Sequence, residues 1–259
     1  VKTIEDTPQG ILAGAYENTN MHLLGIEQKQ ASRRAYYACI TQVDYQIGRI
    51  FGALRENNLF QNTWVIFTSD HGEMLGDHHM SQKNLFFEGS AHVPLLIMPP
   101  QERGLPHNLK VDHLVTLADL YPTILAIAGQ PCPKELSGKN LLSPSALQKD
   151  RLFFGNSLNR NFCVMEQKIK LVYSAIGNHT LLFDLNKDPM EQHDLSAAPE
   201  YADIFQRLWK LLLNNTHCYT PEALIEDQFI TYDAPHFPGD MPGRWFGFHY
   251  HDYSVDTFH

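Results

Sequence analysis

The chain has 259 residues, with 20 Lys and Arg against 29 Asp and Glu, a formal net charge of −9, and 43% apolar and 19% charged residues. This composition excludes a disordered chain, a collagen and a coiled coil, and no apolar run approaches the roughly 18–20 residues of a membrane-spanning helix. No basic face stands out for a nucleic acid or an anionic membrane, so an anionic ligand would be captured locally, by a metal or a few placed cations.

The length predicts one large domain or two small ones. The opening, VKTIEDTPQG, has no apolar h-region and does not read as a signal peptide. Residues 1–30 are weakly patterned and predict irregular structure leading into a helix. Tyr36, Ile40, Val43, Ile47, Ile50 and Leu54 then recur alternately four and three residues apart, one face of an α-helix that Asn57 and Asn58 end. Trp64 to Thr68 is a short apolar run without alternation, as in a strand of a parallel α/β sheet covered on both faces, and Val93 to Met98 is a second. The polar segment between them, Ser69 to His92, is long for a connection, and such loops are usually functional.

Asp119 is placed to cap a helix through Ala128, with Pro122 in its first turn and Gly129 just past its end. The Pro-, Ser- and Lys-rich stretch after it marks a boundary. Residues 1–130 are assigned to an α/β core and 131–259 to a C-terminal subdomain with an aromatic tail. RLFFGN, FCVMEQ, KIKLVYS and LLFDL read as closely spaced strands of an antiparallel sheet. Pro199 opens a helix with Ile204, Leu208, Leu211 and Leu212 on one side. The tail from Thr220 has no readable pattern.

The cysteines Cys39, Cys132, Cys163 and Cys218 match no zinc or C-x-x-C spacing and form no disulfide scaffold. Asn178-His179-Thr180 and Asn214-Asn215-Thr216 have the form of glycosylation acceptors. The densest chemistry lies in SDHGEMLGDHHMSQK, which gathers Asp70, His71, Glu73, Asp77, His78, His79 and Lys83. Asp70 and His71 follow a strand directly, and ligands of open α/β sheets bind beyond the carboxyl ends of strands. Gly72 allows a tight turn that turns both side chains to that crevice.

A carboxylate beside an imidazole suits a divalent metal: calcium or magnesium by its oxygen, manganese or zinc as nitrogen is added. Two ligands do not complete a site, so further carboxylates must come from elsewhere. The bland alternative makes Asp70 a turn cap and His71 a surface residue. His78 and His79 read as solvated loop histidines and Lys83 as a surface charge. Glu88 fixes the loop rather than reacting. His22, His92, His113 and His193 have no partner at a telling spacing, and His249 to Asp252 read as a solvated end.

Taken in order, YYACITQVDYQIGRIFGAL, NTWVIFTSDHGEMLGDHHMSQKNLFFEGSAHVPLLI, LADLYPTILAIAG and KIKLVYS…LLFDLNKDPMEQHDL resemble the C-terminal half of a type I sulfatase of the alkaline phosphatase superfamily, over residues 31–215. The resemblance implies an α/β fold: an alkaline-phosphatase-like mixed sheet flanked by helices, with a small C-terminal antiparallel-sheet subdomain. It implies hydrolysis of a sulfate ester with one divalent cation, calcium first and magnesium or manganese as alternatives. Asp70 matches a metal-ligand aspartate of the family, and His71 falls where its members carry an Asn or His ligand. Lys83 matches the catalytic lysine that holds the sulfate and steadies the departing oxygen. His78 is at most near the metal site, and Asn84 departs from the usual Lys-Gly.

The family's nucleophile, a formylglycine made in a C/S-x-P-x-R motif, is not encoded here. The resemblance therefore implies a partner, the N-terminal half of the same enzyme, and an inactive chain when alone. The expected ligand is a sulfate ester, with no nucleic acid and no membrane span. A phosphonate monoester or phosphodiester hydrolase of the same superfamily would use the same three residues, and a non-catalytic fragment is the other alternative.

Overall fold

A computed structural model describes residues 24–83, 85–100, 103, 108–143 and 151–233, except the side chain of His79. His22, Asn84 and His249 to Asp252 lie outside the described residues, as does the His79 side chain.

The heptad-like stripe forms helix α1 (Ile26–Glu56), closed by Asn57 and by Asn58 in the left-handed region at φ 55°. None of its residues is buried among the described ones, and Ile40, Val43 and Ile50 are half exposed or more. The expected core-facing side of the helix therefore has nothing described to cover it. Arg33 holds α1 to the next segment, donating from Nε to the Leu75 carbonyl at 2.6 Å and from a terminal nitrogen to Asp77 at 2.5 Å.

Strands β1 (Val65–Thr68) and β2 (Leu95–Met98) pair antiparallel, from Val65 opposite Met98 to Thr68 opposite Leu95. This corrects the expected parallel, doubly covered strands. Parallel pairing needs a crossover. The chain between β1 and β2 instead folds back on itself and carries, among its described residues, a 3-10 turn (Asp77–His79) and a four-residue helix, α2 (Glu88–Ala91). Neither strand has a buried residue, and Phe67 and Leu96 stand exposed.

Helix α3 (Leu120–Ile127) carries Pro122 in its first turn and is followed by Gly129 at φ +66°. Asp119 does not cap it with its side chain. Its carboxylate accepts two hydrogen bonds from Arg151, at 2.6 and 2.7 Å, and the amides of Thr116 and Lys139 at 2.7 and 2.8 Å. The burial of Asp119 explains the difference, because a side chain with no exposure must satisfy every lone pair inside the protein.

Beyond residue 150 the four expected strands form a meander in sequence order, β3 (Leu152–Ser157), β4 (Asn161–Glu166), β5 (Ile169–Ser174) and β6 (His179–Asp184). Alternation gives this sheet two apolar faces. Phe162, Val164, Leu171, Tyr173 and Leu182 pack with Leu208 and Leu212 of helix α4 (Ala202–Tyr219). On the opposite face Met165, Leu181 and Phe183 pack with Met74, Met80, Leu85 and Phe87. The segment 69–92, polar in composition, is thus pinned by four apolar side chains, each worth about 1.5–3 kcal/mol on full burial. The tail unread in the sequence adds a hairpin, β7 (Leu224–Ile225) and β8 (Gln228–Phe229), turned by Glu226 and Asp227 with φ of 48° and 63°.

Candidate functional site

The site begins where β1 ends. Ser69 donates its hydroxyl to the His71 carbonyl at 2.7 Å, and Asp70 Oδ1 accepts the His71 amide at 3.0 Å. These local bonds fix a one-turn bend and leave Asp70 Oδ2 outside it. The Asp70 side chain is 84% exposed. The hydrogen bond from the His71 amide holds its carboxyl below the ordinary value, so it is an anion.

The imidazole of His71 is oriented by its own neighbour. Its Nδ1 lies 2.8 Å from the Gly72 carbonyl, an acceptor, so the ring proton sits there and Nε2 presents its lone pair. Nε2 is 3.5 Å from Asp70 Oδ2. Two donors bound at calcium distances and at right angles to one another would be roughly 3.3–3.7 Å apart. At that separation the two atoms could hold one divalent cation between them. Among the described residues no third His, Cys, Asp or Glu joins them to complete a metal-binding group.

Gly72 serves the bend differently from the expectation. Its φ lies outside the left-handed region. What requires glycine is a crossing backbone: a Cβ at 72 would meet the Gly89 carbonyl oxygen at 2.2 Å. The Gly72 amide donates to the Ser90 carbonyl at 2.8 Å. The turn that carries Asp70 and His71 is thereby laid against α2.

The loop then makes an excursion and returns. Met74 donates its amide to the Gln82 carbonyl at 3.0 Å, and the Glu73 carboxylate accepts the amides of Gln82 and Leu75. Gly76 donates to the Met80 carbonyl at 2.7 Å. Closing 74–82 in this way returns the chain at Gln82 to the residues that follow Asp70 and His71, and Lys83 comes next. Lys83 is half-buried, and among the described residues no hydrogen bond or ion pair engages its ammonium.

His78 is not a solvated histidine. It sits at φ 51°, is 8% exposed, and stacks on Phe87 with ring centroids 4.3 Å apart. The apolar pocket around Phe87 draws the ring inward. His92 and His193, expected to be without partners, pair with Glu88 at 2.6 Å and Asp188 at 3.2 Å. The Glu88–His92 spacing of four residues in a helical turn is the signal that could have found the first.

Sequence reasoning missed a buried charge cluster behind the site. Lys170 of β5 is 2% exposed and bonds Glu88 and Glu191. Burial alone would raise the Glu88 carboxyl, but the His92 hydrogen bond and the Lys170 charge hold it at about 2. Burial pushes the carboxyl of Glu191 up. The nearby Cys163 thiol, fully buried, is pushed up to about 12 and is inert.

Against known proteins, residues 7–130 match the family model described as Sulfatase, and residues 76–217 match N-sulphoglucosamine sulphohydrolase, C-terminal. Arylsulfatase K of Homo sapiens is 46% identical over 221 residues, covering 75% of this chain and 40% of the relative. The chain thus spans about 40% of the length of the curated relatives it matches. A phosphonate monoester hydrolase of Agrobacterium radiobacter is 32% identical with a TM-score of 0.61, over 72% of this chain and 41% of that one. A solved 2-O GAG sulfatase, 22% identical, shares the fold with a TM-score of 0.75 over 87% of this chain and 52% of its own.

Proposed function

Because the chain belongs to the sulfatase family, we propose that it supplies part of the site with which the whole enzyme hydrolyses a sulfate ester. The observation that carries this reading is the pairing of the exposed Asp70 with the half-buried His71, with Oδ2 and Nε2 3.5 Å apart at the end of β1. Asp70 and His71 would hold one divalent cation, calcium first among the candidates, with the remaining ligands contributed from outside the described residues. Such a cation supplies positive charge to the oxygens of the bound sulfate.

This chain's own residues then do three things. Asp70 offers a carboxylate oxygen, and His71 offers Nε2 because the Gly72 carbonyl keeps the proton on Nδ1. Lys83 places an ammonium where negative charge develops on the sulfuryl group and the departing oxygen. The nucleophile, a formylglycine, is assigned to the N-terminal half of the same enzyme, since no C/S-x-P-x-R motif occurs in these 259 residues. The apolar side of α1, which no described residue covers, and the exposed Phe67 of β1 and Leu96 of β2 give that half a surface on which to pack.

One observation favours a second reading. His71 supplies nitrogen, which shifts the preference toward manganese or zinc. The likeness to a phosphonate monoester hydrolase points the same way. The test uses the full-length protein with an aryl sulfate and with a phosphonate monoester, with and without a chelator. Faster turnover of the sulfate, lost in Asp70→Asn together with the metal, is the expected result. Preference for the phosphonate would select the second reading. Full metal content and activity in Asp70→Asn would remove Asp70 from the site. A chain that only assembles with a partner would show turnover of neither.

A further inference from the structure

An ammonium group has three N–H donors, and Lys170 uses all of them. They reach the Phe86 carbonyl at 2.8 Å, Glu191 Oε1 at 2.8 Å and Glu88 Oε1. Glu191, itself 2% exposed, accepts the Glu88 amide on its second oxygen at 2.7 Å. The ring of Phe86 lies over Gly155 of β3, where a Cβ would meet it at 2.3 Å. Residues 86–88 are thus tied to the C-terminal sheet by main chain, side chain and ring together.

Charges buried this deeply lose hydration worth several kcal/mol, and apolar residues of equal volume often serve stability as well. On the same face of the sheet, Cys163 and Val172 are apolar or neutral and fully buried. Packing alone would be met by an apolar residue at position 170. The polar choice specifies where 86–88 must sit. From Glu88 the connection continues through α2, whose Ser90 carbonyl accepts the Gly72 amide at 2.8 Å. Gly72 adjoins His71 and provides the carbonyl that orients its ring.

We propose that Lys170, Glu191 and Glu88 are positioning residues for the candidate metal site. They fix α2 on the C-terminal sheet, and α2 holds the Asp70-His71 turn so that Oδ2 and Nε2 face one cation. The inference rests on the reading of Asp70 and His71 as metal ligands.

The test measures calcium affinity by titration calorimetry and exchange of the Gly72 amide, in the full-length protein. Glu191→Gln keeps the volume but has one acceptor oxygen, so it must release either Lys170 or the Glu88 amide. The triple variant Lys170→Met/Glu88→Gln/Glu191→Gln leaves no buried charge and is expected to melt near the parent temperature. Both should bind calcium about 10–100-fold more weakly, as when the groups that orient metal ligands are removed. Both should also exchange the Gly72 amide faster. Parent affinity and parent protection at Gly72 in the triple variant would overturn the inference and leave the triad as packing. Asp70→Asn is the control. If it weakens calcium binding while the triad variants do not, only the positioning role fails. If it binds as the parent does, or the parent binds neither calcium nor manganese in the same titration, the reading of the site fails and the positioning role with it.

Discussion

The backbone of Gly89 crosses Gly72 so closely that a methyl group on Gly72 would lie 2.2 Å from the Gly89 carbonyl oxygen. The obstacle is backbone, which cannot rotate away as a side chain can. Gly72→Ala should therefore push the turn off α2, lengthen the Gly72–Ser90 hydrogen bond and shift His71. Overpacking of this kind costs about 1–3 kcal/mol, occasionally more. Denaturant unfolding of the full-length protein should show that loss, and metal affinity should fall with it. An unchanged unfolding midpoint would mean that the two strands of chain separate easily.

Lys83→Ala should leave metal content unchanged and lower kcat about 10²–10³-fold, the usual cost of removing one group that stabilises developing charge. Its ammonium engages no described partner, so the fold should not suffer. A substrate with an acidic phenol as leaving group should lose less than an alkyl sulfate. Parent kinetics on both substrates would return Lys83 to the surface.

Asp119 and Arg151 form a buried two-point pair, with side chains 0% and 8% exposed. Asp119→Asn keeps the shape but offers one acceptor oxygen to four donors. The guanidinium would stay buried without its counter-charge, a loss of about 3–5 kcal/mol. Chemical denaturation reads this directly. A cost below 1 kcal/mol would mean that solvent reaches Arg151 easily.

The Glu88–His92 pair predicts a window in pH. His92 donates a ring hydrogen bond to the Glu88 carboxylate, which raises it above 6.5. Its contribution is complete below 6.5 and is lost as pH rises through the folded value. Glu88 is depressed from 4.5 to about 2, so its contribution is present above 4.5 and is lost as pH falls toward 2. The melting-temperature gap between parent and His92→Ala should therefore be widest near pH 5 and should narrow on both sides. A gap that is constant with pH would show that only packing is lost.

Local pattern decided much of this protein. The spacing of Tyr36, Ile40, Val43, Ile47, Ile50 and Leu54 was enough to place α1, because a helix repeats within one turn of itself. The four strands from Leu152 to Asp184 were legible for the same reason, being short apolar runs separated by turns. Asp70 and His71 were legible as a pair, since adjacency in the chain and the end of an apolar run suffice to mark them. What covers each face was not legible. Lys170 sits between Ile169 and Leu171 and reads as the water side of a half-buried strand. It is buried because the segment 69–92 lies over that face, held by Met74, Met80, Leu85 and Phe87 from far along the chain. The direction of β2, the inward turn of His78, the crossing at Gly72 and the pairing of Glu88 with Lys170 and Glu191 all depend on contacts between residues well apart in sequence, nine positions for His78 and Phe87 and 82 for Glu88 and Lys170. Periodicity carries no record of such contacts, and only the folded chain brings their partners together.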